Sequence, residues 1–139
     1  KHPRYTSITD IPKITKSFEA VNLIIEEIPE IIGAAQEMFI VVLLNRSNRV
    51  LVVQKLFVGG ISATIVDLKL ILKIALSFGA SGIMLCHNHP SGELRPSQHD
   101  INLTKKIKEA CQSIEIVLVD HVIICEQNSY YSFADEGIL

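Results

Sequence analysis

Residues 86–100 read CHNHPSGELRPSQHD, and the apolar run from Ile83 to Cys86 leads into them. Side chains at i and i+2 of a strand share one face. His87 and His89 therefore present two imidazoles side by side at the end of a buried strand. Pro90 cannot donate to a sheet ladder and stops the strand. Gly92 and Pro96 keep the next residues in a loop. Ser97 reads as a helix N-cap with Asp100 three residues on, and positions i and i+3 lie on one helix face. If that helix start folds back onto the strand end, two imidazoles and one carboxylate converge. Two histidines and an aspartate with a fourth position open describe a catalytic zinc site.

Each part also has a plainer reading. A His-x-His pair is most often ordinary core or surface histidine. Ser97-x-x-Asp100 is a capping box, which satisfies orphan helix N–H groups and needs no metal. The combination favours a metal. An unpaired imidazole in an apolar strand is costly, and the nearby acid downstream of the loop, Asp100, begins a helix.

The full string His-x-His-Pro-x6-Ser-x-x-Asp resembles the metal motif of the JAMM (MPN+, JAB) metallopeptidases. HNHPSG, then PS, then D, is more similar to the RadC-like branch of that family. Asp120-His121-Val122-Ile123-Ile124, Tyr131-Ser132-Phe133 and Glu136-Gly137 carry the same resemblance, which covers about residues 35–139. It implies one zinc held by His87, His89 and Asp100, and hydrolysis of a peptide or isopeptide by a metal-activated water. It also implies an upstream glutamate as general base and the motif serine, Ser97, as oxyanion donor. One hydroxyl serving both the helix cap and the oxyanion makes those two roles of Ser97 compete. Between Met38 and Cys86 the only acid is Asp67. Glu37 starts the first strand, which resembles the family's placement of its glutamate, so Glu37 is preferred and Asp67 is read as a helix cap. Asp120 is a candidate to receive the second N–H of a ligating histidine; the alternative is that Asp120 and His121 form a turn between two strands. His99, about 100° around the helix from Asp100, reads as exposed, and Ser91 as loop structure.

The chain has 139 residues, 48% hydrophobic and 20% charged, which suits one compact domain with a real core. A net charge of −2 and a pI near 6.2 weigh against a phosphate-gripping surface. Lys105, Lys106 and Lys108 read as the solvated face of a helix. Cys86, Cys111 and Cys125 show no C-x-x-C spacing and suggest buried free thiols in a reducing compartment. Cys86 alternates to the face opposite His87. With no apolar run of membrane length and no leader pattern, the expectation is a cytoplasmic protein without a membrane segment.

Residues 1–16 read as a linker or truncated extension, and 17–139 as the domain. A helix is expected from Ser17, as its cap, to about Ile28. Pro29 ends it or begins a short turn. Residues 37–44 read as a buried strand, 45–48 as a turn and 49–57 as the returning strand. Gly59-Gly60 breaks that strand, and 64–66 form a short one. A helix capped by Asp67 reaches Phe78, with Leu70, Ile71, Ile74 and Phe78 as its buried stripe. The metal strand follows at 83–88, then a helix at 97–113 facing the core through Leu103, Ile107 and Ala110. Strands at 115–119, 121–125 and 130–133 complete the chain. The pattern implies an α/β domain with a mixed sheet and helices packed on it, and the resemblance implies a cytidine-deaminase-like architecture. The strand at 49–57 is a candidate edge for pairing with a second copy.

Two other functions compete. Zinc deaminases want His-x-Glu and Pro-Cys-x-x-Cys; here the residue two after His87 is His89, and no C-x-x-C exists. A non-catalytic, zinc-stabilised scaffold or DNA-repair-associated module is the second alternative. A structural zinc more often has four protein ligands.

Overall fold

Strand β1 (Glu37–Leu44) runs through the middle of the molecule, buried from Met38 to Leu44. Its continuous apolar sequence is what a strand covered on both faces requires. The computed structural model of the protein describes residues 11–59, 67–126 and 129–139. Around β1 the described residues build a mixed five-stranded sheet with three helices. The other strands are β2 (Val50–Gly59), β3 (Gly82–Asn88), β4 (Val117–Glu126) and β5 (Ser129–Ser132), and the helices are α1 (Ser17–Glu27), α2 (Leu68–Ser77) and α3 (Gln98–Ser113). The sheet order is β2-β1-β3-β4-β5, in which β3 and β4 are parallel and the other pairs antiparallel.

Local chemistry explains the connections. In the β1–β2 turn the Asn45 side-chain oxygen accepts from the backbone N–H of Ser47 and Arg49, at 2.8 and 3.0 Å. Asn48 takes a φ of 61° there, a conformation asparagine tolerates. Pro29 opens a short 3-10 turn, Pro29–Ile31, after α1. Asp67 caps α2 by accepting from the Lys69 N–H at 3.0 Å.

The sheet divides the core in two. Met38, Ile40, Val42, Met84, Cys86 and Val122 meet Ala20 and Ile24 of α1 on one face. Phe39, Val41, Leu43, Ile83 and Leu85 meet Ile71 and Ala75 of α2 and Ile107 of α3 on the other. Cys86 thus lies on the face away from His87, as alternation requires.

Several expectations change. Ser17 is the first residue of α1 and not its cap. The helix start is held by the Glu19 carboxylate, which accepts from the Thr15 and Lys16 N–H groups, while the Ser17 hydroxyl turns to Tyr130 and Asp135. Ile11 and Ile14 are buried in the core beside α1, and Lys13 bridges to Arg49, so the segment expected to be linker is packed from Ile11 onward. The buried stripe of α2 is centred on Ile71 and Ala75. Leu70 is 37% and Phe78 48% exposed, because Phe78 lies past the last turn. The expected pair of strands at 115–119 and 121–125 is one continuous β4. Cys86 and Cys111 are buried free thiols, but Cys125 is only half-buried. The short strand expected at 64–66 falls outside the described residues.

Candidate metal centre

β3 delivers His87 and, one residue beyond its end, His89. Both Nε2 atoms point to the same spot and lie 2.9 Å apart. The first turn of α3 brings Asp100 there, with Oδ1 3.3 Å from His87 Nε2 and Oδ2 3.2 Å from His89 Nε2. His87, His89 and Asp100 form a group whose ligand atoms could hold a metal ion. The donor chemistry fits a cation. His89 Nδ1 is 2.6 Å from the Glu93 carbonyl, which only accepts, so Nδ1 carries the proton and Nε2 faces inward. Two imidazole nitrogens and a carboxylate packed this closely need either a proton or a metal between them. Two histidines with one carboxylate suit zinc but do not single it out among divalent metals.

The cap and the ligand readings of Asp100 hold together. Its Oδ2 accepts from the Ser97 N–H at 2.8 Å, and its own N–H donates to Ser97 Oγ at 3.0 Å, which is a complete capping box. That box aims Oδ1 at His87. The expected competition for the Ser97 hydroxyl also dissolves. As a cap it only accepts, and its single O–H proton remains free to donate.

The charges follow from the packing. Burial acts to raise the pKa of Asp100, but the two imidazoles packed against its carboxylate outweigh it and hold the group far below the usual carboxylate range. The hydrogen bond to Asp100 raises the pKa of His89. Beside the triad lies a cleft of about 490 Å³ lined by Glu37, Phe39, Pro90, Arg95, Ser97 and Leu103 as well as the ligand residues.

Register brings Glu37 there. Phe39 pairs with His87, and Glu37 is two residues before Phe39 on the same face, at the His89 end of the sheet. Burial raises the pKa of Glu37, opposed by the two histidines. Asn88, between the histidines on the opposite face, holds this strand start in place. Its Oδ1 accepts from the Met38 N–H at 2.6 Å and its Nδ2 donates to the Gln36 carbonyl at 3.1 Å, so it grips the residues on both sides of Glu37. Asp67 caps α2 and does not line the cleft. His99 is exposed on the cleft wall, and Ser91 belongs to the loop.

Asp120 does not face His87 and His89. It is buried on the α1 side of the sheet, where its carboxylate accepts from the His121 and Ala134 N–H groups and the Ser132 hydroxyl, at 2.7, 3.0 and 2.6 Å. Nor is it a turn residue, since β4 runs straight through it. The neighbour of His87 is His121, wholly buried, with Nε2 2.8 Å from His87 Nδ1 and Nδ1 2.7 Å from Thr104 Oγ1. Asn88 and Thr104 went unread in the sequence. Their signal is polarity at positions otherwise apolar, on a buried strand and one turn after Asp100.

Among the described residues no helix is long and apolar enough to cross a membrane. Comparison with known proteins agrees with the geometry. The family model of the RadC-like JAB domain matches residues 14–138. A UPF0758 protein of Flavobacterium johnsoniae is 47% identical over 99% of this chain and 58% of its own length. One from Porphyromonas gingivalis is 40% identical over 99% of the chain and 56% of its own length, and one from Clostridium beijerinckii is 39% identical over 91% and 54%. The chain thus spans little more than half of these relatives. With a match over nearly its whole length and a site built from the motif residues, the chain belongs to the RadC-like JAB domain family.

Proposed function

We propose that this domain is a zinc-dependent hydrolase that cleaves the amide bond of a peptide or isopeptide. The observation that carries the proposal is the convergence of His87, His89 and Asp100 on one point that opens into a cleft shared with Glu37 and Ser97. A zinc ion held by His87, His89 and Asp100 would supply a water acidified toward neutrality and would polarise the scissile carbonyl.

The remaining work falls to side chains. Glu37 takes the proton of the attacking water and delivers it to the leaving amine. Its raised pKa suits the first half of that exchange, since it makes the carboxylate a better acceptor for the proton of the water. Ser97 donates its free O–H to the oxygen that gains charge, while its lone pair keeps the cap. Phe39, Leu103 and Pro90 form apolar walls against which an extended chain lies. The buried free thiols Cys86 and Cys111 favour a reducing compartment, and we place the protein in the cytoplasm.

The test begins with zinc content per chain after purification without chelator, beside Asp100→Ala. About one zinc in the parent and little in the variant supports the centre. A panel of quenched fluorescent peptides and isopeptides, read with parent and Glu37→Gln, then tests hydrolysis. Zinc at parental level in Asp100→Ala would sink the assignment of the ligands, and equal turnover by Glu37→Gln the assignment of the base.

A further inference from the structure

His87 binds a metal through Nε2 only if its proton sits on Nδ1, and a buried ring has no water to choose for it. We propose that His121 and Thr104 form a fixed hydrogen-bond relay that locks His87 in that tautomer and thereby sets the metal affinity of the site, with His121 as a positioning residue. This rests on the metal reading of the triad.

The direction of every bond in the relay follows from its far end. The Asp100 backbone carbonyl can only accept, so the Thr104 hydroxyl, 2.6 Å away, commits its single proton there. Toward His121 Nδ1, at 2.7 Å, the same hydroxyl can then only accept, and Nδ1 must carry a proton. His121 lies wholly buried, with Phe133 stacked on it at 4.7 Å and Phe39 edge-on at 6.2 Å. Among the described residues no carboxylate hydrogen-bonds to its ring, because Asp120 receives only its backbone N–H. A neutral ring with its proton on Nδ1 offers a lone pair at Nε2. His87 Nδ1, 2.8 Å from that lone pair, must donate, and the His87 Nε2 lone pair faces the metal position. The relay begins and ends on Asp100, whose carbonyl orients His87 while its carboxylate supplies another ligand. His89 reaches the same tautomer in one step through the Glu93 carbonyl.

Thr104→Val keeps the shape of the side chain but removes the acceptor. His121 then moves its proton to Nε2, donates to His87 Nδ1, and drives the His87 proton onto the metal-binding nitrogen. Thr104→Ser keeps the hydroxyl and should keep parental behaviour. The experiment uses the full chain labelled with 15N, freed of metal, with ring tautomers read from long-range proton–nitrogen spectra and zinc affinity from competition with a chromophoric chelator. Expected are Nδ1–H forms of His87 and His121 in the parent and in Thr104→Ser. In Thr104→Val both shift toward Nε2–H and zinc affinity falls about 10- to 100-fold. If the valine variant does not fold, the parent spectrum decides alone. A parent that binds zinc yet carries the metal-free His87 proton on Nε2 overturns the relay and leaves the metal site standing, as does a folded Thr104→Val with parental zinc affinity. A parent that takes up no zinc overturns the metal reading and this role with it.

Discussion

Asp100 combines a helix cap with the proposed role of metal ligand, and two substitutions separate them. Asparagine at 100 retains an oxygen able to accept from the Ser97 N–H, now at 2.8 Å from Oδ2, but loses the charge that faces His87 and His89. Alanine loses both. On the proposed metal reading, zinc at about 1,000 times its Kd should stabilise the parent fold by about 4.1 kcal/mol. For 139 residues at about 2.1 cal/mol/K each, the unfolding entropy is about 290 cal/mol/K, so 1 kcal/mol is about 3.4 °C and the zinc shift about 14 °C. Without a carboxylate ligand that shift should nearly vanish in both variants. Without zinc, Asp100→Ala should melt below Asp100→Asn by the worth of one cap, about 1 kcal/mol or roughly 3 °C. Differential scanning calorimetry of the three proteins with and without zinc reads all of this. A zinc shift retained in Asp100→Asn would refute the ligand role, and equal melting of the two zinc-free variants would refute the cap.

Three further outcomes follow from the geometry. Glu37→Gln should keep its zinc and lose about 10²- to 10⁴-fold in turnover. Because burial holds the folded pKa of Glu37 above its unfolded value, the ionised group costs stability once the pH rises past the folded pKa. The glutamine variant should therefore melt higher than the parent at neutral pH and match it below about pH 4.5; a parent that melts higher at neutral pH would reverse that sign. Ser97→Ala should lose about 1 kcal/mol from the cap and, separately, about 10²- to 10³-fold in kcat from the missing donor, so an unchanged kcat would leave Ser97 as a cap alone. Asp120→Ala leaves three donors inside the protein without an acceptor. At about 1–3 kcal/mol for each, chemical denaturation should show a loss of about 3 kcal/mol or more, and a loss under 1 kcal/mol would mean that water replaces the carboxylate.

Much of the fold is legible in the chain because its signals are local. The run from Glu37 to Leu44 reads as a two-sided buried strand, Asn45 to Asn48 as a turn and Asp67 as a cap, and each forms as read. The triad is legible for the same reason, since His-x-His and Ser-x-x-Asp each place their groups within one element. What fails depends on contacts across the chain. Ser17 is a good cap residue by composition, yet Tyr130 and Asp135, more than a hundred residues away, take its hydroxyl while Glu19 covers the helix start. The stripe of α2 was set by spacing alone, and tertiary packing rotates it toward Ile71 and Ala75.

The reversal of Asp120 and His121 has a single physical origin. Along the parallel pair, Ile83 faces Leu118 but Met84 faces Asp120, so Val119 is one residue too many in β4. Leu118 packs on the α3 side of the sheet. Strict alternation from there would put Asp120 on the α3 side, toward the triad, and His121 on the α1 side. The extra residue exchanges the two, as a one-residue slip must. Met84 and Val122 lie on the α1 side, and Asp120 goes with them. His121 is thereby carried under His87 and against Thr104. The exchange also decides which chemistry supports the site. A carboxylate beneath His87 would add a second negative charge next to Asp100, whereas the His121 ring, whose burial favours its neutral form, adds none. The displaced carboxylate instead ties β4 to Ser132 and Ala134, which seats Phe133 on the buried face of His121. One surplus residue in a strand thus supplies both the partner of His87 and the tether that holds that partner still, and no periodicity in the sequence announces it.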